Sequence, residues 1–558
     1  GLKVSSRATS QAVTLTSLDV ALWGVPADSR HDPLRYRGPE QCFDSPILAI
    51  LYGPGMICSA NFDTSTFPFT PKPRPSQLEP RAFLTLPANC AAGPQTTRLT
   101  ANSWQDPNTD VVVESVSHLP PAYPAEPERW GPPQGVTGCE RLSFKPRLQV
   151  EAAPSASDTP TQLRVELTFP QSGLESPTGL AAPPLDRAEG VLPAGMALNP
   201  AAASGLRACT DAEVGLGSDE RVRCPGASKI GEAVATSPLL KEQLTGSIYL
   251  GEQLSRDPES GDMFRLFLVL ENEERGLRIK LRGSVRASRA DGRLTTVFDD
   301  NPQLPVERLV LTFKGGSRAP VVLPRRCGAQ TVSARLSSWA GHVVDVADTF
   351  DIPCPATMPF APTFTAGMES VEAGAEAPFV MHLTRDDRQP EMRSLALTMP
   401  PGVLARIASA TLCPDSRASD GRCPEESRIG AVTVGAGAGS VPFYLSGDVY
   451  VTEPYRDGQF GLSIVVPAIA GPFDLGTVVV RAAIYVDRRT TQLRVVTDPI
   501  PDIVLGVPLR LRAISVLIDR QGFMRNPTNC TLREISGEIV SYDGAAARGS
   551  ERFAVANC

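Results

Sequence analysis

The chain has 558 residues, 42% of them hydrophobic and 21% charged, with a formal net charge of −7 at pH 7. That length exceeds what one hydrophobic core serves, so about two to four domains are expected. A mildly acidic balance gives no electrostatic footing for nucleic acid, and no run reaches the ~20 apolar residues of a membrane helix.

The 53 prolines and 46 glycines disfavour long helices and suit short strands joined by turns. Alternating runs such as "QLRVELTF" (162–169) and "GLRIKLRGSV" (276–285) read as half-buried strands of period two. No amphipathic helix of three turns stands out, so the expected class is all-β. Only seven of the 54 basic residues are lysines, a skew that a GC-rich genome explains. Gly1 is preceded by neither an initiator Met nor a signal peptide, which reads as a processed or trimmed chain.

From the N-terminus, "VTLTSLDVALWGV" (13–25) reads as strand, and residues 27–82, with Cys42, Cys58 and "FPFTPKPRP" (67–75), read as an insertion. "NCAAGPQTTRLTANSW" (89–104) then matches "NCTLREISGEIVSY" (529–542), and Cys139 closes the loop begun at Cys90. Residues 1–139 therefore read as the C-terminal half of a truncated module. Its strand at 13–25 lacks its earlier partners, and an unpaired apolar edge is a hazard. Either an upstream segment covers it or a neighbouring subunit supplies the strands, the latter building an open filament.

Residues 140–354 and 355–558 are two complete modules. The first opens on "FKPRL" (144–148) and carries "LPAGMALNP" (192–200), Cys209, "RCPGASKIGEAVA" (222–234) with Cys224, "LTGSIYLGE" (244–252), Cys327, Trp339 and Cys354. The second restates them in order: "FAPTF" (360–364), "MPPGVLARI" (399–407), Cys413, "RCPEESRIGAVTV" (421–433) with Cys423, "LSGDVYVTE" (445–453), Cys530, Tyr542 and Cys558. A module of this size suits two packed sheets, or two small sandwiches. Ser228 should superpose on Ser427 and Tyr249 on Tyr450. Ile230 and Ile429 should be buried at the start of equivalent strands, with Gly231 and Gly430 at a bend or a close backbone approach.

The chain has no CxxC and only four scattered histidines, which speaks against zinc and for disulfides. Repeat equivalence pairs Cys90 with Cys139, Cys209 with Cys224, Cys327 with Cys354, Cys413 with Cys423 and Cys530 with Cys558; Cys42 and Cys58 pair by elimination. Such bonds place the chain outside a reducing cytosol. No metal or cofactor is expected.

Little else suggests chemistry. There is no GxSxG, HExxH, Walker loop or EF-hand spacing. "GAGAGS" (435–440) lacks a following helix, replaces "TSPLLKEQ" of the other copy, and reads as a variable loop rather than a phosphate cradle. His31, His118, His342 and His382 occupy non-equivalent places and read as loop or edge positions. "RDPESGD" (256–262) and "VFDDNP" (297–302) read as acidic turns, with calcium as the alternative. Trp23, Trp104, Trp130 and Trp339 could stack on sugars. Because Trp104, Trp339 and Tyr542 share one repeat position, core packing beside a disulfide is the preferred reading. The Pro-rich tracts at 67–75 and 118–135 are extended docking surfaces or stiff covers.

Several phrases carry a resemblance: "VALWGVPADSRHDP" (20–33), "NSWQDP" (102–107), "CPGASKIG" (224–231), "FDDNPQLP" (298–305), "RDDRQPE" (385–391) and "FGLSIVVPAIAGPFDLGTVVVRAAIYVD" (460–487). Over almost its whole length the chain resembles large secreted repeat-containing surface proteins of actinobacteria and other GC-rich bacteria. The resemblance implies a cell-surface location and further modules upstream, and it implies no catalytic residues. Three functions stay open: an extracellular structural protein of a surface layer, sheath or filament; an adhesin or ligand-binding surface protein; and a secreted enzyme. The expected partners are other copies of the chain, neighbouring surface proteins or a glycan.

Overall fold

The computed structural model describes residues 4–5, 20, 22–35, 42–43, 57–58, 62–63, 70–71, 75–118, 131–354 and 358–558. Most of the strand expected at 13–25, most of the insertion, Trp130 and most of the tract at 118–135 lie outside them.

Ahead of residue 140 the described elements are small. β1 (Cys42–Phe43) pairs with β2 (Ile57–Cys58), and β3 (Phe62–Asp63) with β4 (Thr70–Pro71). β5 (Thr96–Ala101) and β6 (Val111–Val116) form an antiparallel hairpin.

The first large sheet gathers β7 (Arg147–Ala153), β8 (Pro160–Thr168), β9 (Leu185–Val191), β10 (Ala197–Leu198), β11 (Lys229–Thr236), β12 (Leu244–Leu250) and β13 (Phe264–Asn272). It continues with β14 (Leu277–Ala287), β15 (Leu294–Phe298), β16 (Arg308–Phe313), β17 (Val321–Val322), β18 (Gly328–Ser338) and β19 (Val343–Ile352). The second gathers β20 (Thr363–Met368), β21 (Phe379–Thr384) and β22 (Met392–Thr398), a short β23 (Leu404–Ala405) lying outside it, then β24 (Arg428–Ala436), β25 (Phe443–Thr452) and β26 (Phe460–Ala470). After β27 (Phe473–Val486) and β28 (Leu493–Thr497), β29 (Ile503–Val504) and β30 (Val507–Pro508) form a separate small ladder. β31 (Leu511–Ile518) returns to the sheet, β32 (Met524–Arg525) pairs with β23, and β33 (Arg533–Ser541) and β34 (Ala546–Phe553) close it.

The two sheets have one strand order. The first runs β7-β8-β16-β11-β12-β13-β14-β15-β9-β18-β19, with β10 and β17 attached beside β8; the second runs β20-β21-β31-β24-β25-β26-β27-β28-β22-β33-β34. Every strand has its counterpart in the same place, all pairings are antiparallel, and no described ladder crosses between the sheets. The register agrees too: Gly231 faces Ile248 and Phe313, while Gly430 faces Val449 and Ile518.

Each sheet curls until its first strand meets its last hairpin. In the first, Leu148 and Val150 of β7 share a core with Val332, Ala334 and Leu336 of β18, and the Val150 N–H donates to the Asp348 carboxylate of β19 at 2.7 Å. In the second, Phe364 of β20 packs with Ile535, Ile539 and Phe553 of β33 and β34. The halves of each curled sheet thus face one another, sandwich-like, across one apolar interior. The protein is all-β with tandem stapled modules; its two described α-helices, α1 (Asp211–Val214) and α2 (Asp415–Ser419), are single turns. No described helix is long and apolar enough to cross a membrane.

Candidate functional site

The repeated "CP…IG" phrase is where each module is stapled from outside. Disulfides join Cys209 to Cys224 and Cys413 to Cys423. Each loop hydrogen-bonds to a strand end: the Cys209 N–H donates to Leu250 O at 2.8 Å, and the Cys413 N–H to Val451 O at 3.0 Å. Ile230 and Ile429 are buried at the starts of β11 and β24. At these isoleucines the register of each strand shifts. A Cβ on Gly231 would lie 2.7 Å from Thr312 O, and one on Gly430 would lie 2.1 Å from Leu517 O. Only glycine leaves the bulge room to close on its neighbour.

A buried arginine holds each stapled loop down, and the modules deliver it from different strands. Arg265 of β13, almost fully buried, reaches Asp211 at the start of α1 at 2.5 Å and lies over Phe267. Arg481 of β27 reaches Asp415 at the start of α2 at 2.9 Å, donates to Ser419 Oγ and lies 4.1 Å from the Tyr455 ring centroid.

Further disulfides join Cys90 to Cys139, Cys327 to Cys354 and Cys530 to Cys558. The latter two close the open ends of the β18–β19 and β33–β34 hairpins. The backbone pairs Cys42 with Cys58 across β1 and β2; the side chains of those two residues lie outside the described set.

The expectation of core aromatics beside a disulfide needs correction. Trp339 and Tyr542 sit in the hairpin turns, at the far end of the hairpin from the sulfurs, because about ten extended residues intervene on each strand. Tyr542 is 40% exposed and Trp104, just after β5, is 52% exposed. Trp339 and Tyr542 do share a structural task. The Trp339 indole donates to Asn301 O at 2.9 Å and the Tyr542 hydroxyl to Ile500 O at 2.6 Å, each tying its turn to the loop after the equivalent strand.

"GAGAGS" is a loop that differs between the copies, as expected, and it also forms the joint between modules. Residues 435–439 are buried, with Gly437 at φ +98°, where a Cβ would lie 2.4 Å from the Ala201 N of the first module. Asn199 clasps the loop, accepting from the Ala438 N–H at 3.2 Å and donating to its carbonyl at 3.4 Å. Nearby, Gln253 exchanges hydrogen bonds with the Asp474 backbone at 2.8 and 3.2 Å, and Ala468, Leu475 and Val507 complete an apolar cluster of the first module. The joint also holds a buried ion pair, Asp158 with Arg510, joined by Arg325 at 3.3 Å from Asp158 and 3.2 Å from Glu391. Burial pushes the Arg510 guanidinium down to about 10, which leaves it charged at neutral pH.

The other candidates have ordinary partners. His31 stacks on Trp23 with centroids 4.5 Å apart. His118 and His342 bond to the carbonyls of Gly131 and Cys139 at 2.8 and 3.0 Å. His382 meets Ser515 at 2.9 Å on an outer sheet face, as directly opposed cross-strand neighbours. In the acidic turns, Asp257 and Asp262 are engaged by Arg289 and Arg282 at 2.8 and 2.6 Å. Burial, then the charge of Asp300, raises the Asp186 carboxyl. Among the described residues no three His, Cys, Asp or Glu side chains converge to hold a metal ion.

Two features were not foreseen. The β5–β6 hairpin is exposed at every residue, with Leu99, Val111, Val112, Val113 and Val116 open to solvent; a lone two-stranded ribbon is marginal without cover. The second is the space inside the modules. The interior of the second holds a cavity of about 330 Å³ with almost wholly apolar walls, contributed by β21 to β28, β31 and β32. The equivalent space in the first module is about 170 Å³. Left empty, the larger void would forfeit on the order of 8 kcal/mol of packing.

No protein-family model and no curated protein matches the chain. Among solved structures it is similar to the C-terminal domain of the Streptococcus pyogenes antigen I/II-family protein AspA, at 8% identity over 74% of this chain and 99% of that one, with a TM-score of 0.17. It is also similar to a putative membrane anchored protein from Corynebacterium diphtheriae, at 9% identity, 84% and 96% coverage and a TM-score of 0.17. A type II cohesin dyad from the ScaA scaffoldin of Acetivibrio cellulolyticus stands at 7% identity, 72% and 94% coverage and 0.16. Scores of this size carry no argument about function.

Proposed function

We propose that the chain is an extracellular structural protein of the cell surface, a subunit of a surface layer, sheath or filament, without enzymatic activity. The observation that carries this reading is the joint. Two modules of one strand order, each stapled twice, are locked by a loop of small residues and a buried ion pair, which suits a stiff load-bearing unit. The disulfides suit an oxidising location. The exposed β5–β6 ribbon offers an edge for another copy or a neighbouring surface protein.

That same ribbon favours a second reading, an adhesin, with its exposed apolar face meeting a protein or glycan. Negative-stain images of native cell-surface material, with antibody labelling, separate the two. Labelled regular polymers support the structural role. Isolated particles with saturable binding to a glycan or protein support the adhesin. Cytoplasmic labelling, or a hydrolytic activity lost on changing one acidic residue, overturns both.

A further inference from the structure

We infer that the interior of the second module is a binding site for a single-chain amphiphile with an anionic head, a medium- to long-chain fatty acid. Protein interiors are close-packed and leave few voids larger than a water molecule, whereas ligand pockets begin at about 300 Å³. The cavity of about 330 Å³ falls in the second class. At roughly 30 Å³ per water-sized group, it takes about eleven methylene-sized groups. One medium-length acyl chain fits; a two-chain phospholipid does not.

The walls and the mouth agree on the chemistry. Thr491 and Thr497 are the polar residues among the lining side chains, and the Thr497 hydroxyl already accepts from the Leu395 N–H at 3.0 Å. An apolar cavity of this kind stays dry and takes apolar guests. Leu404, 47% exposed, and the exposed Thr491 both line the cavity, so it reaches the surface between their two loops. Those loops carry Arg406, Arg488 and Arg489, all exposed and without an ion-pair partner among the described residues. The acid beside them, Asp487, is occupied by the N–H groups of Arg489 and Thr490 at 2.9 and 2.7 Å. An acyl chain in the interior would place its carboxylate among unpaired guanidinium groups, which favour carboxylates.

The first module shows how such a space is filled. Phe313 of β16 faces Gly231 where Ile518 of β31 faces Gly430, and Phe298 faces Gly283 where Thr497 faces Ala482. The exchange is not one-sided, since Leu395 and Leu397 of the second lining stand where the first has Ala188 and Gly190.

The test is calorimetric titration of the full delipidated chain with sodium dodecanoate below its micelle concentration, and with 1-dodecanol as the uncharged control. The expected result is saturable binding of one dodecanoate per chain. Ile518→Phe, which installs the first module's residue, should abolish it with an unchanged unfolding midpoint. Should that variant misfold, the surface pair Arg488→Glu and Arg489→Glu still decides: dodecanoate affinity should fall about tenfold or more, a change of about 1.4 kcal/mol, with dodecanol unaffected. Absence of saturable binding to the wild type overturns the inference, as does equal dodecanoate affinity in a folded Ile518→Phe chain or in the arginine pair.

Discussion

The modules at 147–352 and 363–553 share a strand order and register yet differ in what fills and clamps them. Register is shared because slipping a strand by one residue turns its whole apolar face outward. The clamp is free to move provided the helix aspartate is met, so Arg265 comes from β13 and Arg481 from β27, the neighbour of β13's counterpart β26. Outer faces diverge more. Glu166 of β8 is held by Arg308 and Arg164 at 2.5 and 2.6 Å, whereas His382, at the matching place on β21, meets Ser515. The hydrogen-bonded frame is constrained by every neighbour; a surface pair or an interior side chain answers to only a few.

Four changes break or sharpen this comparison. The largest effect is expected from Asp158→Ala, which strands the buried Arg510 cation in the joint and should cost about 3–5 kcal/mol in denaturant unfolding. Replacing Cys530 and Cys558 by serine reopens a hairpin of 28 residues. By chain entropy it should cost about 3–4 kcal/mol, against roughly 2.7 for the shorter Cys413–Cys423 loop; equal losses would refute the loop-length account.

Third, Arg308, then Arg164, holds the Glu166 carboxyl at about 2, below its ordinary 4.5. A depressed carboxylate contributes fully above its unfolded value and loses that contribution as pH falls from about 4.5 through about 2. Glu166→Gln should therefore cost up to about 3 kcal/mol at pH 7 and almost nothing near pH 2; an equal loss at both pH values would refute the ion-pair account. The smallest effects belong to the clamps. Arg265→Met and Arg481→Met should each cost about 2 kcal/mol; a silent variant would show that the two arginines are not equivalents.

The frame was readable because its signals are local and written twice. The Ile-Gly phrase, the tyrosines on β12 and β25 and the alternating strand runs all fall where the repeat puts them. Tandem copies with one register follow from those residues alone. The joint was not readable. Asp158 and Arg510 are ordinary residues 352 positions apart, and nothing local marks a partner. "GAGAGS" read only as a loop that varies between the copies, because glycine serves both an open loop and a backbone pressed against another. The aromatics at Trp339 and Tyr542 recur for a bond to a loop carbonyl, a task that core residues also satisfy, so recurrence alone misplaced them. Interior volume is a sum over ten strands, and no single position reports it.

The central claim is that the two modules act as one mechanical unit through their joint. Hydrogen exchange on the full chain measures this directly. Opening the Cys530–Cys558 staple destabilises the second module alone unless the joint transmits the loss. Our account predicts that amides of β13, in the first module, lose protection by the same free energy as those of β26. Unchanged protection in β13, with loss confined to the second module, would contradict it.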